Sequence, residues 1–251
     1  MLHMRYAIPV VGYAFMQNEE KVEALVQLAA TVAHELNNIF TAVSGNLSLL
    51  EESFDQQSPG KKVVGDVIQT ARRGIELSEK LQAFAGRQKL NRTKFDLNQV
   101  VAATFSGLKH SALQHIDVEF GLTSSSCVVV ADEDQFVRVL EELARNAAAA
   151  MDGQGSLIIS TTETELQERQ IRRLPAGNYV RLSVKDTGRG MAPEVAKRAL
   201  YPVFSTKAGH HGWGLARCAG FIRQTGGEIL LFSRPGRGTI ADVLLPRVAM
   251  G

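Results

Sequence analysis

A chain of 251 residues, 45% apolar and 22% charged, has the make-up of a globular protein long enough for one large or two modest domains. Its 28 basic and 26 acidic side chains leave a formal net charge of only +2, which gives no electrostatic case for nucleic acid or a membrane surface as the main ligand. No run approaches the ~18–20 apolar residues that a bilayer span needs. Residues 1–18 read as a leader: Pro9 and Gly12 interrupt it, and a single Arg5 with no small-residue cleavage site argues against a signal peptide. A short strand or a partner-docking arm is the alternative there. Cys127 and Cys218 lack metal-ligand spacing and read as buried small apolar residues in a reducing, cytoplasmic setting.

Over 19–52 there is no proline and Gly45 is the only glycine. Val22, Val26, Ala29, Ala33, Leu36, Phe40, Val43, Leu47 and Leu50 step by four and three, which is a heptad seam. A helix of ~34 residues is ~50 Å long, too long to bury itself on a small domain. Ser58-Pro59-Gly60 is a strong turn, and a second helix follows over 61–87 with Val64, Ile68, Ala71, Ile75 and Leu81 on its stripe. Such a hairpin keeps an exposed apolar face. Pairing two hairpins into a four-helix bundle, a homodimer, buries both faces; packing the hairpin on the second half of the chain is the alternative.

From about residue 95 the texture changes. Short β-rich runs over 118–122, 127–130, 157–162, 179–185, 228–233 and 239–245 alternate with helical runs over 97–110, 134–151 and 214–224. The expected architecture is a helical hairpin over 19–92 followed by an α+β sandwich over 93–251, with the boundary near 91–96.

On the first helix, His34 follows the seam residue Ala33 and so sits at the flank, within reach of solvent. Glu35 is adjacent and Asn38 lies one turn on. One ring nitrogen of a neutral imidazole can attack a phosphoryl group if the proton on the other is removed or oriented, which suits a neighbouring carboxylate. In the second half, Glu142 and Asn146 share a helix face, a hard oxygen pair suited to Mg²⁺. Asp186-Thr187-Gly188-Arg189-Gly190 follows the strand run 179–185; its glycines permit close backbone approach, and its carboxylate can accept from an exocyclic amine such as that of adenine. Phe204-Ser205-Thr206-Lys207 precedes Gly212-Trp213-Gly214-Leu215, a glycine-rich entry into a helix of the kind that cradles phosphate, with Lys207 adding a point charge. Gly236-Arg237-Gly238-Thr239 opens the last strand.

The stretch Val32-Ala33-His34-Glu35-Leu36-Asn37-Asn38, continued by Ile39-Phe40-Thr41-Ala42, resembles the phosphoacceptor box of sensor histidine kinases, closest to cores of the hybrid type. The ordered set Asn146, Asp186-x-Gly188-x-Gly190, Phe204, Gly212-x-Gly214-Leu215 and Gly236-x-Gly238-Thr239 resembles the Bergerat-type ATP-binding fold. Together the likeness covers about 29–246. It implies His34 as phosphoacceptor, Glu35 as general base and Asn38 as the residue that orients water when the partner is dephosphorylated. It also implies a site for ATP and Mg²⁺, and transfer to an aspartate of a response-regulator receiver domain.

Two departures bear on that expectation. His210 and His211 stand in a short lid where the family places small residues, and Ala147-Ala148-Ala149-Ala150 follows Asn146 where relatives often carry a basic side chain. Arg145 or Lys207 would then have to meet the phosphates. The alternative is a histidine phosphotransfer module with a weakened ATP site. With only about 18 residues ahead of the hairpin, the signal is expected from a separate sensor protein, unless the chain is an excised core.

Overall fold

The computed structural model describes residues 16–55, 58–171, 173–206 and 212–248. Most of the expected leader, together with Lys207, His210 and His211, lies outside the described residues.

Helix α1 (Met16–Glu52) is unbroken, and its one glycine, Gly45, has open space where a side chain would be. Helix α2 (Pro59–Phe84) starts where the heptad seam stops: the Ser58 side chain accepts from the Gly60 N–H, and Pro59 takes the first helical position, where its missing N–H costs nothing. The two helices pack on each other along their length, with Ala29, Ala30 and Ala33 of α1 and Val64, Ile68 and Ala71 of α2 buried. The Phe40 ring fills the space beside Gly74, where a Cβ would come within 2.5 Å of it. Val43 and Leu50, expected in the seam, are instead exposed, as are Leu28, Ile39, Leu49 and Val63. One partner helix can cover only one stripe of a helix.

The second half runs β1 (Thr93–Asp96), α3 (Leu97–Leu108), β2 (Ile116–Gly121), β3 (Val128–Ala131), α4 (Glu133–Ala150), β4 (Gly155–Leu166), β5 (Gly177–Asp186), α5 (Pro193–Arg198), α6 (Gly214–Gln224), β6 (Glu228–Ser233) and β7 (Thr239–Pro246). β2, β4, β5, β7 and β6 form one sheet in that order, and β1 pairs with β3 in a small second one. Only β2–β4 is parallel in the large sheet. The strands alternate, and the residues on one face (Leu157, Ile159, Val180, Leu182, Val184, Val243) join Phe105, Phe136, Leu140 and Phe221 of the helices in a single core. This is the expected helix-on-sheet sandwich. β1 and α5 are additional elements, and the second helix closes at Phe84, short of residue 87.

Hairpin and sandwich meet at a built seam. Phe84, the last residue of α2, is fully buried against Ala29 and Ala216, with Leu81 and Trp213 beside it. Burial of such a ring is worth ~1.5–3 kcal/mol. The Phe84 carbonyl, an orphan at the end of α2, accepts from the Arg223 guanidinium at 3.0 Å, which also lies 5.5 Å from the Phe84 ring. The Gln224 side chain donates to the Gln88 carbonyl at 2.6 Å, and Arg92 donates to the Gln224 carbonyl at 2.6 Å. Close approach requires a glycine in α6: a Cβ on Gly220 would run into the Ala83 and Phe84 carbonyls.

Gly220→Ala should therefore push α2 off α6, at a cost of ~1–3 kcal/mol. The expected result is a lower unfolding midpoint and faster proteolysis at Arg87, Lys89 and Arg92. Unchanged stability with unchanged cleavage would show that the seam tolerates a side chain.

Candidate functional site

A cavity of about 550 Å³ opens between α4, the end of β5, the segment after it and the start of α6. Its wall includes Glu142, Asn146, Asp186, Gly190, Phe204, Gly212, Gly214, Leu215 and Thr239, so nine of the expected ligand-binding residues come together from five separate parts of the chain. Gly188 does not line the cavity but donates its N–H to Asp186, and Lys207 lies outside the described residues.

At one end stands Asp186. It is the last residue of β5, just beyond the Lys185–Ile240 pair, so β7 delivers the backbone of Thr239 beside it. Asp186 Oδ1 accepts from the Gly188 N–H at 2.8 Å and the Thr239 N–H at 3.1 Å. Among the described residues Oδ2 takes no hydrogen bond, although the side chain lines the cavity. Burial pushes the Asp186 carboxyl above its usual range, and the two N–H groups oppose that shift. The turn that follows is fixed on both sides. The Arg189 N–H donates to the Ala150 carbonyl, and the Gly236 N–H donates to the Arg189 carbonyl. Gly190 sits at φ +65°, with the Arg234 carbonyl occupying the place a Cβ would need.

Helix α4 runs along the cavity from this end to the other. Ala150 touches the Asp186 turn, whereas Glu142, eight residues earlier, reaches the first turn of α6, a rise of ~12 Å. The Asn146 carboxamide nitrogen donates to Glu142 Oε1 at 2.9 Å, which fixes the plane of the amide. A Cβ on Gly214 would fall on the Glu142 carboxylate, so that carboxylate lies against the positive end of α6. Arg145 bridges Glu141 at 3.5 Å and Glu142 at 3.6 Å and does not line the cavity, so it does not replace the basic side chain missing after Asn146. Ala147 and Ala150 instead form part of the wall. Further along, Gly212 at φ +67° packs on the backbone of Phe204, and the Arg198 guanidinium lies 4.4 Å above the Phe204 ring.

His34, Glu35 and Asn38 are exposed on α1, as their flank position requires. Their helix reaches the cavity through Ala29, which packs in the seam with Trp213, itself a wall residue. His34 is five residues beyond Ala29, a rise of ~7.5 Å. Wall residues that sequence reasoning did not assign include Lys80 on α2, Met191 and Arg217. A hairpin residue lining a pocket in the other half leaves no local signature. The buried state of Cys127 and Cys218 agrees with the sequence reading; burial raises both thiols, Cys218 to about 12.

Asp186→Asn separates ligand binding from stability. The amide keeps an oxygen for the two N–H groups but presents its own donors to a ligand amine. Loss of a hydrogen bond to a charged group predicts an affinity for an adenine nucleotide lower by ~10–100-fold. A carboxyl raised in the folded state loses stability as pH rises through its range, so at neutral pH the asparagine variant should melt no lower than the parent. A large fall in melting temperature would mean that the carboxylate is structural.

Two family models match the chain in succession. Residues 24–88 match the His Kinase A (phospho-acceptor) domain, and residues 131–249 match the histidine kinase-, DNA gyrase B-, and HSP90-like ATPase. Sensor kinase CckA of Brucella abortus is 32% identical over 238 residues, which are 93% of this chain and 25% of that protein. Sporulation kinase C of Bacillus subtilis is 29% identical over 233 residues, 92% of this chain and 51% of that one. The chain thus spans between a quarter and a half of these relatives. Among solved structures, full-length ShkA in complex with AMPPNP superposes with a TM-score of 0.55 at 20% identity, over 90% of this chain and 46% of that one. The catalytic domain of histidine kinase ThkA superposes at 0.52 and 25% identity, over 63% of this chain and 97% of that one. With both domains matched in order and the fold reproduced, this chain belongs to the histidine kinases and carries their catalytic core.

Proposed function

We propose that the chain phosphorylates its own His34 from ATP held in the cavity and passes the phosphoryl group to an aspartate of a response-regulator receiver domain. The observation that carries this reading is the Asp186 carboxylate: buried, held through Oδ1 by two backbone N–H groups, with Oδ2 uncommitted among the described residues. That arrangement fits the exocyclic amine of adenine. From there the ~12 Å of α4 lead to Asn146 and Glu142 beside the start of α6, which suits a phosphate chain and its Mg²⁺. Gly188, Gly190, Gly212 and Gly214 bring backbone close to the nucleotide, and Phe204, Leu215 and Thr239 complete the wall. We assign Lys207 to the phosphates as well. Bound with Mg²⁺, ATP supplies the γ-phosphoryl group.

In the first step one ring nitrogen of His34 forms a bond to phosphorus as the bond to the ADP oxygen breaks, and Glu35 takes the ring proton. In the second step the nitrogen–phosphorus bond is exchanged for an acyl phosphate on the receiver. Asn38, a turn beyond His34, orients the water that later hydrolyses that acyl phosphate. Residues 19–92 act as acceptor and dimerisation hairpin and 93–251 as the nucleotide domain. The exposed Leu28, Ile39, Leu49, Val63 and Leu77 on both helices support a homodimer that buries them in a four-helix bundle. Among the described residues no helix is long and apolar enough to cross a membrane. We place the reaction on the cytoplasmic side, where ATP is supplied.

Incubation with γ-labelled ATP and Mg²⁺ tests the reading. The expected product is an acid-labile, alkali-stable label that His34→Ala abolishes and Glu35→Gln slows by ~10²–10⁴-fold. An unlabelled chain that nonetheless takes phosphate from a phosphorylated receiver would point to a phosphotransfer module instead.

A further inference from the structure

A triphosphate carries several negative charges, and the cations on the wall decide where its far end settles. Among the described residues three cationic side chains line the cavity: Lys80, Arg189 and Arg217. Arg189 belongs to the Asp186 end and faces Asp152 at 4.0 Å. Arg217 is exposed on α6. Lys80 differs from both. It is half-buried, it has no ion-pair partner among the described residues, and it comes from the hairpin rather than from the nucleotide domain.

Its place along the cavity follows from its neighbours. Leu81, the next residue, packs in the seam with Trp213, Phe84 and Ala216. Lys80 therefore enters beside the start of α6 and Glu142, at the end of α4 opposite the Asp186 turn. On the nucleotide reading given above, on which this inference rests, that is the phosphate end. It is also the end nearest α1, where Ala29 touches the same cluster and His34 follows about a turn and a half later. The α4 helix offers only alanines after Asn146, and Arg145 is occupied by Glu141 and Glu142.

We propose that Lys80 is a phosphate-binding residue of the ATP site, placing its ammonium on the terminal phosphate from the second helix of the hairpin. The site is then complete only while α2 is seated on α6. Nucleotide selectivity between tri- and diphosphate is built across two domains.

The test uses the full chain and two substitutions. Lys80→Met keeps most of the stem and removes the charge; Lys80→Arg keeps the charge. Affinities for a non-hydrolysable ATP analogue and for ADP, each with Mg²⁺, are measured by titration calorimetry. A charge-assisted contact to the terminal phosphate predicts that Lys80→Met weakens the ATP analogue by ~10-fold or more, with ADP changed by less than about 2-fold, while Lys80→Arg stays near the parent. Protease cleavage over 87–92 should stay at the parent rate. Equal affinities in parent and Lys80→Met overturn the proposal, and so does an equal loss for both nucleotides, which marks Lys80 as part of the seam only. If the parent itself binds neither nucleotide, the nucleotide reading fails and takes this one with it.

Discussion

The contact on which the rest of the arrangement depends is the one between the end of α2 and α6. Phe84 is sealed beneath Ala216, and its carbonyl is held by the Arg223 guanidinium, so a helix terminus that would otherwise leave carbonyls unpaired is finished by the other domain. Burial lowers the Arg223 pKa from the ordinary arginine value, with the Glu228 carboxylate acting in the opposite direction. Small residues make the contact possible. Ala29, Ala30 and Ala33 let α1 lie close to its neighbours, and Gly220 lets two backbones touch. His34, the acceptor proposed above, stands immediately after the last of these alanines. α1 is buried just before His34, while His34 itself is exposed.

The cavity shows a different balance. A buried carboxylate such as Asp186 is unfavourable in the free protein, and two backbone N–H groups offset only part of that cost. The fold holds the residue there by making it the junction of β5, β7 and the following turn, each fixed by hydrogen bonds of its own. At the other end the Glu142 carboxylate meets the start of α6, and only glycine fits between them. The two ends are thus set by one rigid ruler, α4, whose capping residue Asp132 accepts from the Gln135 N–H and from the Asn91 N–H in the linker. Linker, helix and site are mechanically continuous.

The long-period features were legible in the chain itself. The heptad steps of the first helix, the turn at Ser58-Pro59-Gly60 and the strand runs are local patterns, and they stand in the fold within a few residues of where periodicity puts them. Several of the spaced glycines mark the site because no Cβ fits there: Gly188, Gly190 and Gly212 lie against backbone, and Gly214 lies against the Glu142 carboxylate. Three things were not legible. β1 has four residues and exists only because β3 pairs with it. α5 has six residues and no side-chain cap. The place of Lys80 in the cavity wall depends on how two domains meet, and its neighbours on α2 read only as a stripe facing α1. Val43 and Leu50 miss the hairpin interface for a related reason, since periodicity gives a stripe but not how much of it one neighbour can cover.

The parallel pairing of β2 with β4 bears on how the molecule is born. Ile116 must find Gly155 across β3 and the whole of α4, whereas α1 and α2 meet through a short turn. Loop closure of that length is slow compared with a helical hairpin. During synthesis the hairpin is out of the ribosome and folded while the edge strand β2 still waits for its neighbour. The proposed pairing of two hairpins does not have to wait for the sheet, and it can precede the cavity that the sheet and α4 build.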